Sequence, residues 1–226
     1  MRKNISWLLK CLTVATSLGG VAISLINARR DGYSHWSRRL LYFTAQSNLW
    51  IGFTFLAILL LPLIHKKRKN IWKKRLYLLK YVFTVSITMT GLVFCFLLAP
   101  FADESYHAWS VSGFLTHVFT PILAIADFFV DEYRIPLRGK HVLFTALPPI
   151  LYFSTASVLE GFNTDFGRGV PYPYFFLNYR SPAGMFGFSK EFPFFIGTFY
   201  WMTLFGLIML AIGAFYARVY SPRLRH

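Results

Sequence analysis

Residues 40–64 read Leu-Leu-Tyr-Phe-Thr-Ala-Gln-Ser-Asn-Leu-Trp-Ile-Gly-Phe-Thr-Phe-Leu-Ala-Ile-Leu-Leu-Leu-Pro-Leu-Ile and carry no charged side chain. At a rise of about 1.5 Å per residue, a helix of this length crosses the roughly 30 Å hydrocarbon core of a bilayer. The chain has further apolar runs of similar length, and 55% of its residues are hydrophobic. We therefore predict a helix over each of six spans: 6–27, 40–64, 77–99, 109–131, 140–160 and 194–217.

These spans leave no room for a sizeable soluble domain in the 226 residues. We predict an all-α fold in which residues 1–226 form one transmembrane domain, a six-helix bundle. The protein would then be a multi-pass integral protein of the cell membrane. The N-terminal apolar run extends to about Ala28 and is followed by arginines, so we interpret it as a retained first helix. A cleaved signal peptide is the alternative.

The net charge of +15 is concentrated in one part of the chain. Eight of the 24 Lys and Arg residues lie between 66 and 80, in the connection between the second and third spans. A short basic connection is typical of a cytoplasmic loop and favours contact with anionic lipid headgroups. We therefore expect membrane lipids as partners and no nucleic acid; the sequence leaves the oligomeric state open.

The distribution of basic residues also predicts the orientation. With both termini in the cytoplasm, 17 Lys and Arg residues lie on the inner side and 7 on the outer side, as the positive-inside rule requires. The longest connection, 161–193, is then outside. The first outer connection argues against this orientation, because it contains four arginines: Arg29, Arg30, Arg38 and Arg39.

Two side chains within the apolar spans are candidates for function, Thr44 in the second span and His117 in the fourth. Polar groups are costly in hydrocarbon, so they tend to face the bundle interior and to mark function. In the predicted orientation both spans run inward, and Thr44 and His117 lie roughly 6 and 12 Å below the outer surface. Contact is therefore possible, and a hydroxyl with an imidazole is the minimum for nucleophilic catalysis. A satisfied core histidine is the alternative.

Thr44, Ser47 and Asn48 are spaced i, i+3, i+4 and share one helix face. On this face Ser47 is a rival nucleophile, and Asn48 or a backbone N–H is a candidate for stabilising an oxyanion. The alternative is that the three side chains only join helices by hydrogen bonds.

Pro121 lies four residues after His117 and cannot donate to its carbonyl. We expect a bend here, a freed carbonyl and a polar pocket that includes Thr120. Asp127 lies about 15 Å deeper than His117. We expect Asp127 to orient a neighbouring group, to pair with a basic residue such as Arg134, or to cap the bundle, rather than to take part in chemistry.

The long outer connection contains Pro171-Tyr-Pro-Tyr174, and it is too aromatic for a disordered loop. Its aromatic residues suit the membrane–water interface, so it is either an interfacial anchor or a lid that includes Tyr172 and Tyr174. The chain has no H-E-x-x-H or C-x-x-C spacing, and we expect no metal and no cofactor.

Three segments together resemble the androgen-induced-gene family of six-span membrane proteins, which includes the androgen-dependent TFPI-regulating protein. They are Tyr42-Phe-Thr-Ala-Gln-Ser-Asn48, the His117, Pro121 and Asp127 series of one span, and Pro171-Tyr-Pro-Tyr174. The Gln-Ser-Asn element and the proline–tyrosine loop are most similar to the prokaryotic branch. The resemblance implies a threonine hydrolase that cleaves fatty acid esters of hydroxy fatty acids, with Thr44 as nucleophile and His117 as base.

Three functional hypotheses follow. The first is an intramembrane lipid-ester hydrolase acting on a lipid-like substrate. The second is a transporter or channel for a small or lipidic solute, with the polar face of the second span and the Pro121 region lining a pathway. The third is a non-catalytic scaffold. A cavity sealed below His117 favours the hydrolase, and a polar path past Asp127 to the inner face favours the transporter.

Overall fold

A computed structural model of the chain describes residues 1–63, 66–101, 109–167 and 169–220. These residues contain six helices long and apolar enough to cross a membrane, which confirms the predicted all-α bundle of a multi-pass membrane protein. The helices are α1 (Arg2–Asn27), α2 (Phe43–Leu63), α3 (Asn70–Leu98), α4 (Val111–Val130), α5 (Gly139–Gly161) and α6 (Thr198–Val219). Arg168, Arg223 and Arg225, which enter the charge count for orientation, lie outside the described residues.

The helix boundaries differ from the predicted ones mainly at the helix starts. Helix α1 begins at Arg2 rather than at residue 6, and α6 begins at Thr198 rather than at residue 194. Residues Trp36–Leu41 form a separate 3-10 turn, and Tyr42 has an extended backbone, so α2 begins at Phe43 rather than at residue 40. The apolar span α3 begins at Asn70, and the helix that contains it already begins at Lys66, well before the predicted residue 77. The basic residues therefore continue the third helix beyond its apolar part, because Lys and Arg are good helix formers.

Helix α3 is the central helix of the bundle. In its apolar window 61% of residues are buried, compared with 28% for α1 and for α6. It packs against α2 and α4 on one side and against α5 and α6 on the other, while α1 packs against α2 and α4. The larger cluster of the core lies between α3, α4, α5 and α6, and a smaller one joins α2, α3 and α4.

A buried ion cluster joins α1, α3 and the end of α4. Lys10 Nζ is 2.9 Å from Asp127 and 2.8 Å from Asp131. Lys80 Nζ is 2.5 Å from Asp127 Oδ2 and 2.6 Å from Asp131 Oδ2. Ser6 also donates to Asp127 Oδ1, at 2.6 Å. Two ammonium groups and two carboxylates thus neutralise one another, which is how charges are tolerated away from water.

This cluster corrects two sequence-based assignments. Asp127 pairs with basic residues as expected, but its partners are Lys10 and Lys80; Arg134 instead donates to the Phe129 carbonyl. Lys80, counted with the cytoplasmic loop, is fully buried. The feature of the sequence that indicated this cluster was the i, i+4 spacing of Asp127 and Asp131, which places both carboxylates on one helix face.

Asp131 lies just beyond the apolar part of α4. Burial of its carboxyl raises the pKa, but the ammonium groups of Lys80 and Lys10 outweigh burial and lower the pKa of Asp131 to about 2. The Asp131 carboxylate therefore stays ionised at neutral pH and keeps both lysines paired.

The long outer connection is folded onto the first one. Gly167 has a φ of +128°, and a Cβ there would lie 2.2 Å from the Tyr33 ring, so only glycine permits this approach. Ser34 donates to Asp165 at 3.2 Å. Arg39 is one of the four arginines of the first connection that argue against the predicted orientation. It pairs with Asp31 and lies over the Tyr33 ring. Both connections are thus fixed at the same end of the bundle as Thr44.

We predict that Lys80→Met destabilises the protein by about 3–5 kcal/mol, because it leaves Asp127 and Asp131 with one ammonium group between them. Chemical unfolding in detergent micelles measures the change. The matched control is Lys74→Met, since Lys74 is exposed on the same helix. The double variant Lys80→Met/Asp131→Asn should lose less than Lys80→Met alone; equal stability of Lys80→Met and wild type would contradict the role of the cluster.

We also predict that the long connection faces the outside. In a background with Cys11→Ser and Cys95→Ser, Lys190→Cys should react with a membrane-impermeant maleimide on intact cells. Lys74→Cys should react only after permeabilisation, because it belongs to the basic inner segment. Both positions are exposed in the structure. Labelling in the opposite order would reverse the orientation.

Candidate functional site

An apolar cleft lies between α2, α3, α5 and α6, and Tyr174 and Phe176 of the long connection also line it. Only a few of its lining residues carry a polar side chain, among them Thr44, Tyr152 and Tyr174. Residues that line it are Phe43, Thr44, Met89, Thr90, Val93, Leu98, Pro149, Tyr152, Phe153, Tyr174, Phe176, Phe205 and Met209. The lining of the cleft is therefore predominantly apolar, with a few polar side chains among it.

Thr44 and His117 meet beside this cleft. Thr44 Oγ1 is 3.2 Å from His117 Nε2, so the predicted contact between the two side chains is present. His117 Nδ1 is 2.9 Å from the Gly113 carbonyl oxygen. A carbonyl only accepts, so Nδ1 carries the proton and Nε2 presents its lone pair to the Thr44 hydroxyl. In this tautomer Thr44 donates and His117 accepts.

The surroundings of His117 restrict its ring and its backbone. The ring stacks on Phe94 with centroids 4.0 Å apart, and His117 is 8% exposed. Its backbone belongs to a π-helical turn, Leu115–Phe119, in which the Thr120 N–H donates to Leu115. Such π-turns often occur at functional sites.

Pro121 has the predicted local effect in part. The irregularity of α4 takes the form of this π-turn, which ends directly before Thr120 and Pro121. The His117 carbonyl faces Gly91 of α3, where an added Cβ would lie 3.1 Å from the carbonyl oxygen and 3.3 Å from the Pro121 ring. Gly91 therefore allows α3 and the π-turn to approach closely.

Ser47 and Asn48 lie one turn below Thr44 but do not reach the cleft. Both are fully buried. The hydroxyls of Ser47 and Thr90 are 2.8 Å apart. The Asn48 side-chain N–H groups donate to the carbonyls of Thr44 at 2.8 Å and Thr116 at 3.1 Å. With both amide hydrogens engaged, Asn48 is placed to fix α2 to α4.

The remaining predicted residues are divided between the cleft and other parts of the bundle. Thr120 was predicted to share a polar pocket with His117, but its hydroxyl instead donates to Thr16 of α1 at 3.0 Å. Asp127 belongs to the ion cluster. Tyr174 lines the cleft, and its hydroxyl accepts a hydrogen bond from the Thr44 N–H at 3.4 Å. Tyr172 is half-buried and is not one of the lining residues.

Sequence reasoning missed three residues that complete the site, Phe94, Thr90 and Tyr152. Phe94 holds the imidazole, Thr90 binds the rival nucleophile Ser47, and Tyr152 brings a phenol to the cleft wall. A tyrosine within an apolar span was the available signal for Tyr152, since its hydroxyl requires a partner when buried. Phe94 carries no such signal among the many phenylalanines of the chain.

Among the described residues, no group of three His, Cys, Asp or Glu side chains is placed to hold a metal ion. The fold and site together define a multi-pass membrane protein with a hydroxyl–imidazole pair at the wall of an apolar cleft. Comparisons with family models, with curated proteins and with solved structures find no match to this chain.

We predict that Gly91→Ala destabilises the protein by about 1–3 kcal/mol, because the new methyl group meets a backbone carbonyl and a proline ring that yield little. Thermal unfolding in detergent measures the change. Gly206→Ala on α6 is the control, since a Cβ there meets nothing within 4 Å. The control should match wild type or gain up to about 1 kcal/mol. Equal behaviour of the two variants would mean that close packing at Gly91 is unimportant.

Proposed function

We propose that this protein is an intramembrane lipid-ester hydrolase in which Thr44 is the nucleophile and His117 the general base. The observation that carries the proposal is the 3.2 Å contact between Thr44 Oγ1 and His117 Nε2. The hydrogen bond of Nδ1 to Gly113 supports it, because it leaves Nε2 able to accept the threonine proton. A nucleophile, a base and a group that orients the base are the parts of a catalytic triad.

The choice of Thr44 over Ser47 rests on access. Thr44 is partly exposed and lines the cleft, whereas Ser47 is fully buried and lies against Thr90. A nucleophile must reach a carbonyl carbon at about 3–3.5 Å. Only Thr44 of the two hydroxyls meets this requirement without a rearrangement of α2.

The reaction proceeds in two balanced steps. In the first, Thr44 Oγ1 bonds to the ester carbonyl carbon while its proton passes to His117 Nε2. The C–O bond to the alcohol then breaks, and His117 returns the proton to the departing alkoxide. In the second step water attacks the acyl–threonine ester, His117 takes a water proton, and that proton returns to Thr44 as the acid leaves.

The cleft supports a lipid ester as the substrate. Its walls are almost entirely apolar, and the hydroxyl of Tyr174, one of its polar lining residues, lies at the Thr44 N–H. An acyl chain would bury hydrocarbon there with its carbonyl at Thr44. The resemblance to the androgen-induced-gene family points to fatty acid esters of hydroxy fatty acids as one such lipid, with the cell membrane as location.

The transporter hypothesis is less well supported. A pathway needs polar groups that continue from the cleft to the inner face, and Asp127 is the deepest candidate. Asp127 does not line the cleft, and both of its oxygens lie against lysine ammonium groups. Along the described residues, the cleft is thus separate from the ion cluster, as the hydrolase requires.

We predict that a fluorophosphonate probe labels the purified protein and that Thr44→Val, which keeps the side-chain shape, abolishes labelling. His117→Gln should slow labelling by about 10²–10⁴-fold, since a general base contributes that much. In-gel fluorescence against time measures the rates. Ser47→Ala is the matched control and should keep the wild-type rate. Labelling of Thr44→Val at the wild-type rate would refute the proposal.

A further inference from the structure

The Tyr152 hydroxyl is a buried polar group that lacks a well-formed hydrogen bond. Tyr152 is 4% exposed, and its oxygen makes no hydrogen bond of regular geometry among the described residues. The Phe43 backbone N–H and the Tyr174 hydroxyl are close enough to be weak hydrogen-bond partners of this oxygen. A buried hydroxyl without a well-formed hydrogen bond destabilises the folded protein. A phenylalanine would fill the same space without that cost.

The Tyr152 side chain belongs to the same cleft wall as the nucleophile. Tyr152 and Thr44 both line the cleft, and the Tyr152 ring packs against the ring of Phe43, the first residue of α2, with centroids 5.2 Å apart. The Tyr152 hydroxyl is thus beside the residue that precedes Thr44, at the wall of a predominantly apolar cavity.

The start of α2 adds a second favourable feature. Tyr42 precedes the helix, and its side chain makes no capping hydrogen bond to the first turn. The positive end of the helix dipole therefore faces the region of Thr44, where negative charge develops in ester hydrolysis. The Thr44 N–H itself donates to Tyr174, which ties this tyrosine to the helix start.

We propose that the Tyr152 hydroxyl donates a hydrogen bond to the substrate carbonyl oxygen and to the oxyanion formed when Thr44 attacks; this assignment rests on the proposed hydrolase function. As the Thr44 Oγ1–carbon bond forms, the electron pair of the C=O π bond moves to the carbonyl oxygen. Tyr152 keeps its proton and shares it with that oxygen. When the leaving alkoxide departs, the pair returns and the hydrogen bond weakens.

This role explains why a tyrosine with an unmet hydroxyl occupies position 152. A donor that lacks a well-formed hydrogen bond in the resting state can bind the substrate oxygen directly, because no strong bond has to break first. Tyr81 shows the contrasting situation, since it is fully buried and its hydroxyl donates to the Gly213 carbonyl at 2.8 Å. The Tyr81 hydroxyl therefore has a well-formed hydrogen bond, whereas the Tyr152 hydroxyl has none among the described residues.

The test compares Tyr152→Phe with Tyr81→Phe in hydrolysis of a medium-chain p-nitrophenyl ester by the purified protein in detergent. Tyr152→Phe should lower kcat by about 10²–10³-fold, the effect of losing one oxyanion donor, with KM close to wild type. Its melting temperature should equal or exceed that of wild type, because an unpaired hydroxyl is removed. Tyr81→Phe should show the reverse, a lower melting temperature with unchanged kcat.

The outcomes separate this assignment from the proposed function. Thr44→Val, assayed in the same series, must lose hydrolysis if the hydrolase proposal is correct. Loss in Thr44→Val together with full kcat in Tyr152→Phe would overturn the role of Tyr152 alone. A lower melting temperature in Tyr152→Phe with unchanged kcat would also overturn it, since it would indicate a structural hydroxyl. Wild-type hydrolysis in Thr44→Val would overturn the hydrolase itself.

Discussion

The hydrogen bond between His117 Nδ1 and the Gly113 carbonyl is the interaction on which the proposed chemistry of this bundle depends. In hydrocarbon both nitrogens of an imidazole require partners, and the carbonyl decides which nitrogen keeps the proton. Because Nδ1 is the donor, Nε2 faces Thr44 as an acceptor. The opposite tautomer would place an N–H against the Thr44 hydroxyl and remove the basic site, so the proposed chemistry depends on this one bond.

The rest of the local structure preserves that bond. Phe94 covers one face of the imidazole, and the π-turn sets the position of His117 on α4. Gly91 lets the His117 carbonyl approach α3. Asn48 links the backbones of Thr44 and Thr116, the residue before His117, so the two functional side chains are joined through their main chains as well. These contacts come from α2, α3 and α4.

The two ends of α4 use polarity in different ways. At the C-terminal end of α4, two lysines and two aspartates form a neutral cluster that joins α1 and α3 to α4. Nearer the N-terminal end of α4, His117 is hydrogen-bonded to Thr44 of α2 beside an apolar cleft. Charges that are fully paired in a low dielectric are held in place, whereas a neutral pair retains a proton that can move. The ion cluster and the hydroxyl–imidazole pair are therefore separated by several turns of α4.

The sequence by itself determined the membrane class and the six helices, because length and hydropathy are local properties. It only suggested the pairing of Thr44 with His117, from two polar side chains at similar depths in apolar spans. It placed Lys80 in a loop and Thr120 in the pocket, since one-dimensional spacing gives a helix face but not the neighbour of that face. Only the tertiary structure decided that Thr44 rather than Ser47 borders the cleft, that Lys10 and Lys80 neutralise Asp127, and that Tyr152 has an unsatisfied hydroxyl. Each of these depends on how helices distant in sequence pack, and that arrangement follows from the sum of many side-chain contacts rather than from any one motif.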